Sequence, residues 1–366
     1  MEKAKISVIQ LFSLMFMYEI GTTLVINYGA EARKDVWLAI LLGMAGGVVL
    51  FFVSIYLFRQ YPTLPLTGYV RKVFGKYLGW IIGLIYTVFL LYSASNNIRI
   101  SAELLLSSTL PETPLLAIII LMVLAICYVL YLGVEVLART AEVFIVILVF
   151  LGLMGNVFIF LSGDIDLHNL QPFLENGWKP ILETTVSYTI IQPFAQMFAF
   201  SILLPYLNRP ELAKKTGLSA IIASGLILSY TISLDIAVLG VDEVVRSPFP
   251  LLSTIGKVNI MEFIQRLDAI VVYTLLITVI FKASVFFYGA LIGMVDLFKL
   301  KNHRSMVLPT GIIIIFLSMI WASDFTEVPQ ESMMVIKYVL SVLLVFLPIL
   351  MMIITMIRNG VKKKAT

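Results

Sequence analysis

Apolar runs recur along the whole chain, and this pattern constrains the fold more than any other feature of the sequence. A run of about 20 residues, wound as an α-helix, crosses the ~30 Å hydrocarbon core of a bilayer. Of the 366 residues, 60% are hydrophobic and only 13% are charged, which is untypical of a soluble domain. The sequence therefore predicts one all-α integral membrane domain, residues 1–366, embedded in a lipid bilayer.

Ten transmembrane helices are predicted, with boundaries accurate to a few residues. Loops on the side that carries both termini hold 17 of the 26 Lys and Arg residues, and loops on the other side hold six. By the positive-inside rule, we expect both termini in the cytoplasm. The predicted spans are about 6–27, 36–58, 78–106, 114–133, 136–162, 180–205, 214–240, 262–295, 306–323 and 333–357.

The chain has few residues that could form a disulfide, bind a metal ion or catalyse a reaction. Cys127 is the one cysteine, so no internal disulfide is possible, and the two histidines, His168 and His303, lie in predicted loops. No His/Cys cluster, phosphate-binding glycine loop or catalytic triad is present in the sequence. We therefore expect no metal, no cofactor and no enzymatic activity. The net charge of +4 follows from the topology and gives no reason to expect nucleic acid.

The first predicted span contains an unfavourable stretch, "MYEIGTTLVIN", residues 17–27. A carboxylate such as Glu19 costs roughly 2.5–3.5 kcal/mol at the centre of a membrane helix. Gly21 lowers helix propensity by about 1 kcal/mol relative to alanine. Glu19 is expected to neutralise an amine, to carry a proton or to bond a polar group of a neighbouring span, and the sequence leaves these three roles open.

The sixth predicted span is interrupted as well, at Pro193 in "TVSYTIIQPFAQMFAF". Proline removes a backbone donor and clashes with the preceding helical turn. Taken alone, Gly21 would be interpreted as a packing residue and Pro193 as a tolerated kink. Breaks at matching positions of two halves instead indicate a transporter-type site. The sequence therefore predicts a five-plus-five inverted repeat with discontinuous helices 1 and 6.

The two breaks predict a binding site for a small zwitterion. Free amides of Gly21, Thr22 and Thr23 would begin a half-helix whose partial positive charge suits a carboxylate. Free carbonyls from Tyr188 to Ile191 would suit an ammonium group. With polar residues of spans three and six, the candidate ligand-binding residues are Glu19, Gly21, Thr22, Thr23, Tyr92, Asn96, Asn97, Tyr188, Ile191, Gln192, Pro193 and Gln196.

Three further charged residues within the spans, Arg99, Glu103 and Lys282, each have two interpretations. Arg99 and Glu103 are four residues apart, so they are expected to pair with each other, although a coupling role stays open. Lys282 either replaces a coupling cation or forms a structural tie to a carboxylate, and we slightly favour the tie. Asp235 is expected to line a wet vestibule. The glycines of the pair Gly43–Gly47 have the spacing that permits close helix contact.

Several stretches, in this order and spacing, carry a family resemblance. They include "ISVIQLFSLMFMYEIGTTL", "GAEARKDVWLAILLGMAGG", "YPTLPLTGYVRKVFGKYLGW", "LYLGVEVLART" and "IIQPFAQMFAFSILLPYL". The chain resembles the B subunit of bacterial spore germinant receptors, the endospore germination permease family within the amino acid–polyamine–organocation superfamily. The family's first-span glycine falls on Gly21, and its Pro-Phe step falls on Pro193 and Phe194. An acidic residue is frequent in the family where this chain has Gln196.

The resemblance implies a receptor subunit in the spore inner membrane. It implies recognition of a small germinant, of the amino acid type, together with an A subunit and a C-subunit lipoprotein as partners. The alternative is a stand-alone proton-coupled amino acid transporter, and a weaker third hypothesis is an ion pore. A receptor needs only a ligand-biased two-state equilibrium, whereas a transporter must open two gates.

Overall fold

The computed structural model describes residues 4–258, 267–320 and 334–365, and side chains as far as residue 360. Within these ranges the chain is almost wholly helical and contains no β-strand, apart from an isolated bridge between Ile6 and Leu207. The predicted start of the eighth span at 262, the end of the ninth at 323 and the start of the tenth at 333 lie outside the described residues.

The described α-helices follow the predicted spans closely. Short 3₁₀ or π turns flank several of them. The α-helices are α1 (Val8–Ile20), α2 (Val36–Gln60), α3 (Leu66–Phe74), α4 (Lys76–Ser108), α5 (Leu115–Leu132), α6 (Val134–Ser162), α7 (Trp178–Thr184), α8 (Ala213–Leu239), α9 (Val241–Arg246), α10 (Pro250–Lys257), α11 (Asp268–Phe298), α12 (Arg304–Ile320) and α13 (Leu347–Ala365).

Ten segments of the described chain correspond to the ten predicted spans. Seven helical segments are long and apolar enough to cross a membrane, the last of them running through π turns from Val335 into α13. Two shorter apolar helices, Val8–Leu24 and Arg304–Ile320, give the first and ninth spans. The sixth span is broken into α7, a π turn and 3₁₀ turns. Discontinuous helices 1 and 6 therefore occur where the sequence predicts them.

Helix α11 lies at the centre of the bundle. It is the most deeply buried of the seven long spans. It packs along α4 and also contacts α1 and α6. The buried face of α11 is apolar over most of its length, but it carries one fully buried ammonium group, that of Lys282. This helix therefore positions a charge beside the break in the first span.

The face of the bundle that carries both termini, here called the terminal face, joins the ends of the two broken spans. The Ile6 amide donates to the Tyr206 carbonyl (2.8 Å), and the Asn208 amide donates to the Ile6 carbonyl (3.0 Å). The Tyr288 hydroxyl on α11 donates to the Tyr206 hydroxyl at 2.9 Å. The opposite face, here called the far face, carries the short helices α9 and α10.

Two glycines let α2 approach the sixth span at backbone distance. A Cβ atom on Gly43 would lie 2.8 Å from the carbonyl carbon of Thr189, and one on Gly47 would overlap Cβ of Phe194. The Thr189 hydroxyl also donates to the Ala39 carbonyl of α2 at 2.7 Å. The predicted close contact at Gly43 and Gly47 is therefore confirmed, and its partner is the broken span.

We expect Gly43→Ala and Gly47→Ala to destabilise the folded protein, because the new methyl group has no room beside the sixth span. Overpacking of this kind costs typically 1–3 kcal/mol. The measurement is the thermal unfolding of the purified protein in detergent. Gly152→Ala is the matched control, since a Cβ on this helical glycine of α6 meets no atom within 4 Å. Equal melting temperatures for all three variants would contradict the contact.

Candidate functional site

The first span breaks at Gly21. Helix α1 ends at Ile20, Gly21 has φ 28° and ψ −132°, and a 3₁₀ turn covers Gly21–Leu24. Glycine adopts this backbone conformation readily, because glycine has no Cβ atom. The Gly21 amide still donates to the Met17 carbonyl. The prediction of a break is confirmed, and the prediction of a free Gly21 amide is wrong, because the last turn of α1 uses it.

Gly21 is also held against α11. A Cβ at this position would lie 2.5 Å from Cδ of Lys282 and 3.4 Å from its Nζ. The hydroxyl of Thr278, one turn away on α11, lies 3.4 Å from the Gly21 carbonyl oxygen. The missing side chain thus makes room for the stem of Lys282, a reason for glycine that the sequence pattern does not reveal.

The sixth span breaks over a longer stretch. Helix α7 continues as a π turn, Thr185–Thr189, and a 3₁₀ helix, Phe194–Ile202, begins directly after Pro193. The Tyr188 carbonyl accepts from the amides of Ile191 and Gln192, and the Ile190 carbonyl accepts from the Ala195 amide. The prediction of free carbonyls from Tyr188 to Ile191 is therefore wrong for Tyr188 and Ile190. The π and 3₁₀ turns supply donors that a simple break would lack.

A small polar cavity of about 20 Å³ lies between the two breaks, here called the central cavity. This volume holds about one water molecule. Polar side chains of the first, third and sixth spans line most of it, and the tenth span closes it with apolar ones. The lining residues are Thr22, Tyr28, Tyr92, Ser93, Asn96, Asn97, Gln192, Gln196, Val335, Ile336 and Leu340.

Hydrogen bonds fix part of this polar lining. The Thr22 hydroxyl donates to Oδ1 of Asn97 at 3.2 Å, and Nδ2 of Asn97 donates to the Ser93 carbonyl at 2.7 Å. Nε2 of Gln196 donates to Oε1 of Gln192. Oδ1 of Asn96 and Oε1 of Gln196 are buried and have no hydrogen-bond partner. The cavity therefore offers free acceptors to a ligand that brings donors.

A second cavity of about 30 Å³, here called the far cavity, lies towards the far face. It is lined by the chain that follows the first break, Thr23 to Gly29, and by Thr189, Gln192, Pro193 and Phe194 of the sixth span. Asp235 of α8 and Pro250 of α10 also line the far cavity, and Asp235 is its one charged lining residue in the described chain.

Tyr28 and Gln192 line both cavities and separate them. The Tyr28 side chain is buried and interacts with the side chains of Thr22 and Gln192. Tyr28 is not among the binding residues predicted from the sequence. The signal that could have found it is an aromatic residue in the turn "NYG" directly after a broken helix, where a side chain can fold back over the break.

The structure divides the predicted ligand-binding residues into three groups. The central cavity gathers Thr22, Tyr92, Asn96, Asn97, Gln192 and Gln196. The far cavity takes Thr23 and Pro193, and shares Gln192. Glu19, Gly21, Tyr188 and Ile191 line neither cavity.

Glu19 and Lys282 are fully buried, and neither side chain forms a hydrogen bond. They lie near enough to attract each other electrostatically, and Nζ of Lys282 lies 5.4 Å from the ring centre of Tyr18. No carboxylate of the described chain lies within ion-pair distance of Lys282. The structural tie of Lys282 to a carboxylate therefore stays a prediction, with Glu19 as the candidate partner.

Arg99 and Glu103 form the ion pair that their spacing predicts, at 2.7 Å. Nη1 of Arg99 also donates to the Ser318 carbonyl at 3.1 Å, and the Ser318 hydroxyl donates to the Ser95 carbonyl at 3.0 Å. The pair therefore ties α4 to α12 beside the central cavity. In the described part of the chain, no cluster of three His, Cys, Asp or Glu side chains could hold a metal ion.

Comparison with known sequences shows to which protein family this chain belongs. Residues 5–326 match the spore germination protein family, the spore permeases. The chain belongs to this family. It is 37% identical to spore germination protein KB of Bacillus subtilis strain 168, over 92% of this chain and 90% of that protein. It is 26% identical to spore germination protein YndE of the same strain, over 74% of each chain.

Solved structures of transporters share the fold. Mhp1, a nucleobase-cation-symport-1 family transporter in a closed conformation with bromovinylhydantoin bound, aligns with a TM-score of 0.73 at 15% identity, covering 96% of this chain and 78% of that one. MhsT in complex with L-phenylalanine aligns with a TM-score of 0.69 at 13% identity, covering 94% and 89%. This spore permease therefore has the inverted-repeat architecture that its two breaks predict.

The two buried charges should be energetically coupled. We expect Glu19→Gln or Lys282→Met alone to destabilise this spore permease by about 3–5 kcal/mol, because each leaves one buried charge uncompensated. The double variant should lose clearly less than the sum of the two. The measurement is a double-mutant cycle on unfolding of the purified protein.

The control cycle for this coupling combines Glu19→Gln with Arg139→Met. Arg139 is exposed and pairs with Glu135 on the terminal face, so these two changes should add within about 0.5 kcal/mol. Additive effects in the Glu19–Lys282 cycle would show that the two charges act independently.

Proposed function

We propose that this chain is the germinant-binding membrane subunit of a spore nutrient-germinant receptor, and that a small germinant of the amino acid type binds in the central cavity and triggers germination. The observation that carries the proposal is the gathering of Thr22, Asn96, Asn97, Gln192 and Gln196 between two broken helices. Membership of the spore germination family supplies the biological setting.

The chemistry of the central cavity suits an ammonium group. The unpartnered oxygens of Asn96 and Gln196 are acceptors, and an ammonium brings three donors. Thr22, the one residue of the 3₁₀ turn Gly21–Leu24 that lines the central cavity, would face the carboxylate. The central cavity as described holds about one water molecule, so an amino acid enters only if the broken segments move apart.

This requirement for movement fits a sensor. A ligand that binds the expanded arrangement better shifts the population towards it, by as much as its difference in affinity for the two states. Tyr28 and Gln192, which separate the two cavities, are the side chains that must move for a ligand to pass from the far cavity into the central one.

The orientation and location form part of the proposal. The excess of Lys and Arg in the loops of the terminal face supports a cytoplasmic location for both termini. In the spore inner membrane, the far cavity would then open towards the outer side. A nutrient that reaches this membrane from outside would meet Tyr28 and Gln192 before the central cavity.

Thr22→Val should raise the germinant concentration needed for half-maximal response about tenfold, which corresponds to ~1.4 kcal/mol of lost binding. The change removes the hydroxyl that bonds Asn97 and keeps the shape of the side chain. The measurement is the germination rate of spores against the concentration of whichever of the twenty amino acids activates the wild type, with subunit levels checked by immunoblot.

Thr140→Val is the matched control for this test. It makes the same change on α6, where the hydroxyl bonds only the Val136 carbonyl of its own helix, and it should leave the response unaltered. A Thr22→Val dose–response curve that superimposes on the wild type, at equal protein level, would rule out a role for Thr22 in ligand binding.

A second candidate function is a stand-alone proton-coupled amino acid transporter. The buried side chains of Glu19 and Lys282, which form no hydrogen bond, favour it, because ionisable groups within a membrane often mark an ion pathway. The two functions differ in their partners. A receptor subunit should require an A subunit and a C-subunit lipoprotein, whereas a transporter should accumulate its substrate without them.

We expect the tagged chain, solubilised from spore membranes in mild detergent, to co-purify with an A subunit and a lipoprotein. The readout is mass spectrometry of the purified complex, with an unrelated multi-pass protein of the same membrane as the control. Isolation of the chain by itself, together with proton-dependent amino acid uptake in proteoliposomes, would favour the transporter instead.

A further inference from the structure

Asp235 is a buried carboxylate that the proposed function does not use. It lies near the far-face end of α8, with 1% of its surface exposed. Its Oδ1 accepts one hydrogen bond, from the Thr254 hydroxyl of α10, at 2.7 Å. A buried ionised carboxylate with one neutral donor is strongly unfavourable unless a positive charge compensates it.

No basic side chain of the described chain supplies that charge. Asp235 lines the far cavity, whose lining residues include no Lys, Arg or His. Lys257 lies three residues after Thr254 on α10, but its ammonium donates to the Val238 carbonyl at 3.0 Å. Among the described residues that line the far cavity, Asp235 therefore carries the only formal charge.

The rest of the far cavity offers neutral oxygen atoms. The Thr23 hydroxyl is buried, lines the far cavity and has no hydrogen-bond partner. Thr231, one turn before Asp235 on α8, and Asn27 add a hydroxyl and an amide oxygen. Carboxylate, hydroxyl and carbonyl oxygens are the ligands that hard cations take. A cavity of about 30 Å³ matches one water-sized guest.

We propose that the far cavity is a binding site for a singly charged cation, held by Asp235 with the Thr23 and Thr231 hydroxyls. The cation is either an alkali metal ion or the ammonium head of an amine, since both are water-sized, singly positive and bound by oxygen atoms. The site depends on α10, whose Thr254 orients the carboxylate. This cation site is independent of the germinant-receptor function proposed above.

The first test measures the melting temperature of the purified full-length protein in chloride salts of equal concentration. Potassium, sodium and methylammonium chloride are the probes, and choline chloride, whose cation is too large for the far cavity, is the reference. A cation at about ten times its dissociation constant should raise the melting temperature by roughly 2 °C. An effect of potassium or sodium identifies a metal ion, and an effect of methylammonium alone identifies an ammonium head.

The variant for this test is Asp235→Asn, which keeps the acceptor for Thr254 and removes the charge. It should abolish the difference between the salts. The matched control is Asp164→Asn, an exposed carboxylate of a far-face loop, which should keep the difference. Equal melting temperatures in all four salts would overturn the proposal, as would a difference that persists in Asp235→Asn.

A second measurement uses the wild-type chain and so does not depend on how the variant folds. Dicyclohexylcarbodiimide modifies protonated carboxyl groups in apolar surroundings, and mass mapping of peptides reports the modification of Asp235. The bound cation keeps the carboxylate ionised and shielded, so at about ten times the dissociation constant it should slow labelling roughly tenfold relative to choline. Labelling of Asp235 at the same rate in all four salts would refute a cation site.

Discussion

The structure depends on one constraint, which is that backbone polar groups inside a bilayer must find partners within the protein. A continuous helix meets this constraint, but two spans are interrupted, one at Gly21 and the other around Pro193. Each break is satisfied by local turns and is covered by a neighbour. The stem of Lys282 on α11 packs against the break at Gly21. The break in the sixth span packs against α2, whose glycines leave room for it. The cavities exist because these breaks are buried together.

The two cavities form a series that is interrupted by side chains rather than by backbone. Tyr28 and Gln192 contribute to both linings and lie between the two cavities. On the terminal-face side of the central cavity, the Tyr18 hydroxyl donates to the Gln196 carbonyl at 2.9 Å and links the two broken spans directly. This bond therefore holds the two broken spans together beside the central cavity.

Hydropathy and helix-breaking residues were enough to predict the spans and both breaks, because span length and the chemistry of Gly and Pro are local properties of the sequence. They predicted six of the central-cavity residues, including Thr22 and Asn97. They failed on contacts set by tertiary packing. The closeness of Lys282 to Gly21, the satisfied carbonyls of Tyr188 and Ile190, and the return of Tyr28 over the break depend on distances between spans that no local pattern specifies.

The pairing of Ile6 with the end of the sixth span gives the N-terminal segment a mechanical role. Its two hydrogen bonds, with Tyr206 and Asn208, make the start of the first span and the end of the sixth a single piece on the terminal face. Any tilt of the sixth span that preserves these bonds carries the residues before α1 with it. These bonds therefore couple the position of the sixth span to that of residues 4–7, the described segment before α1.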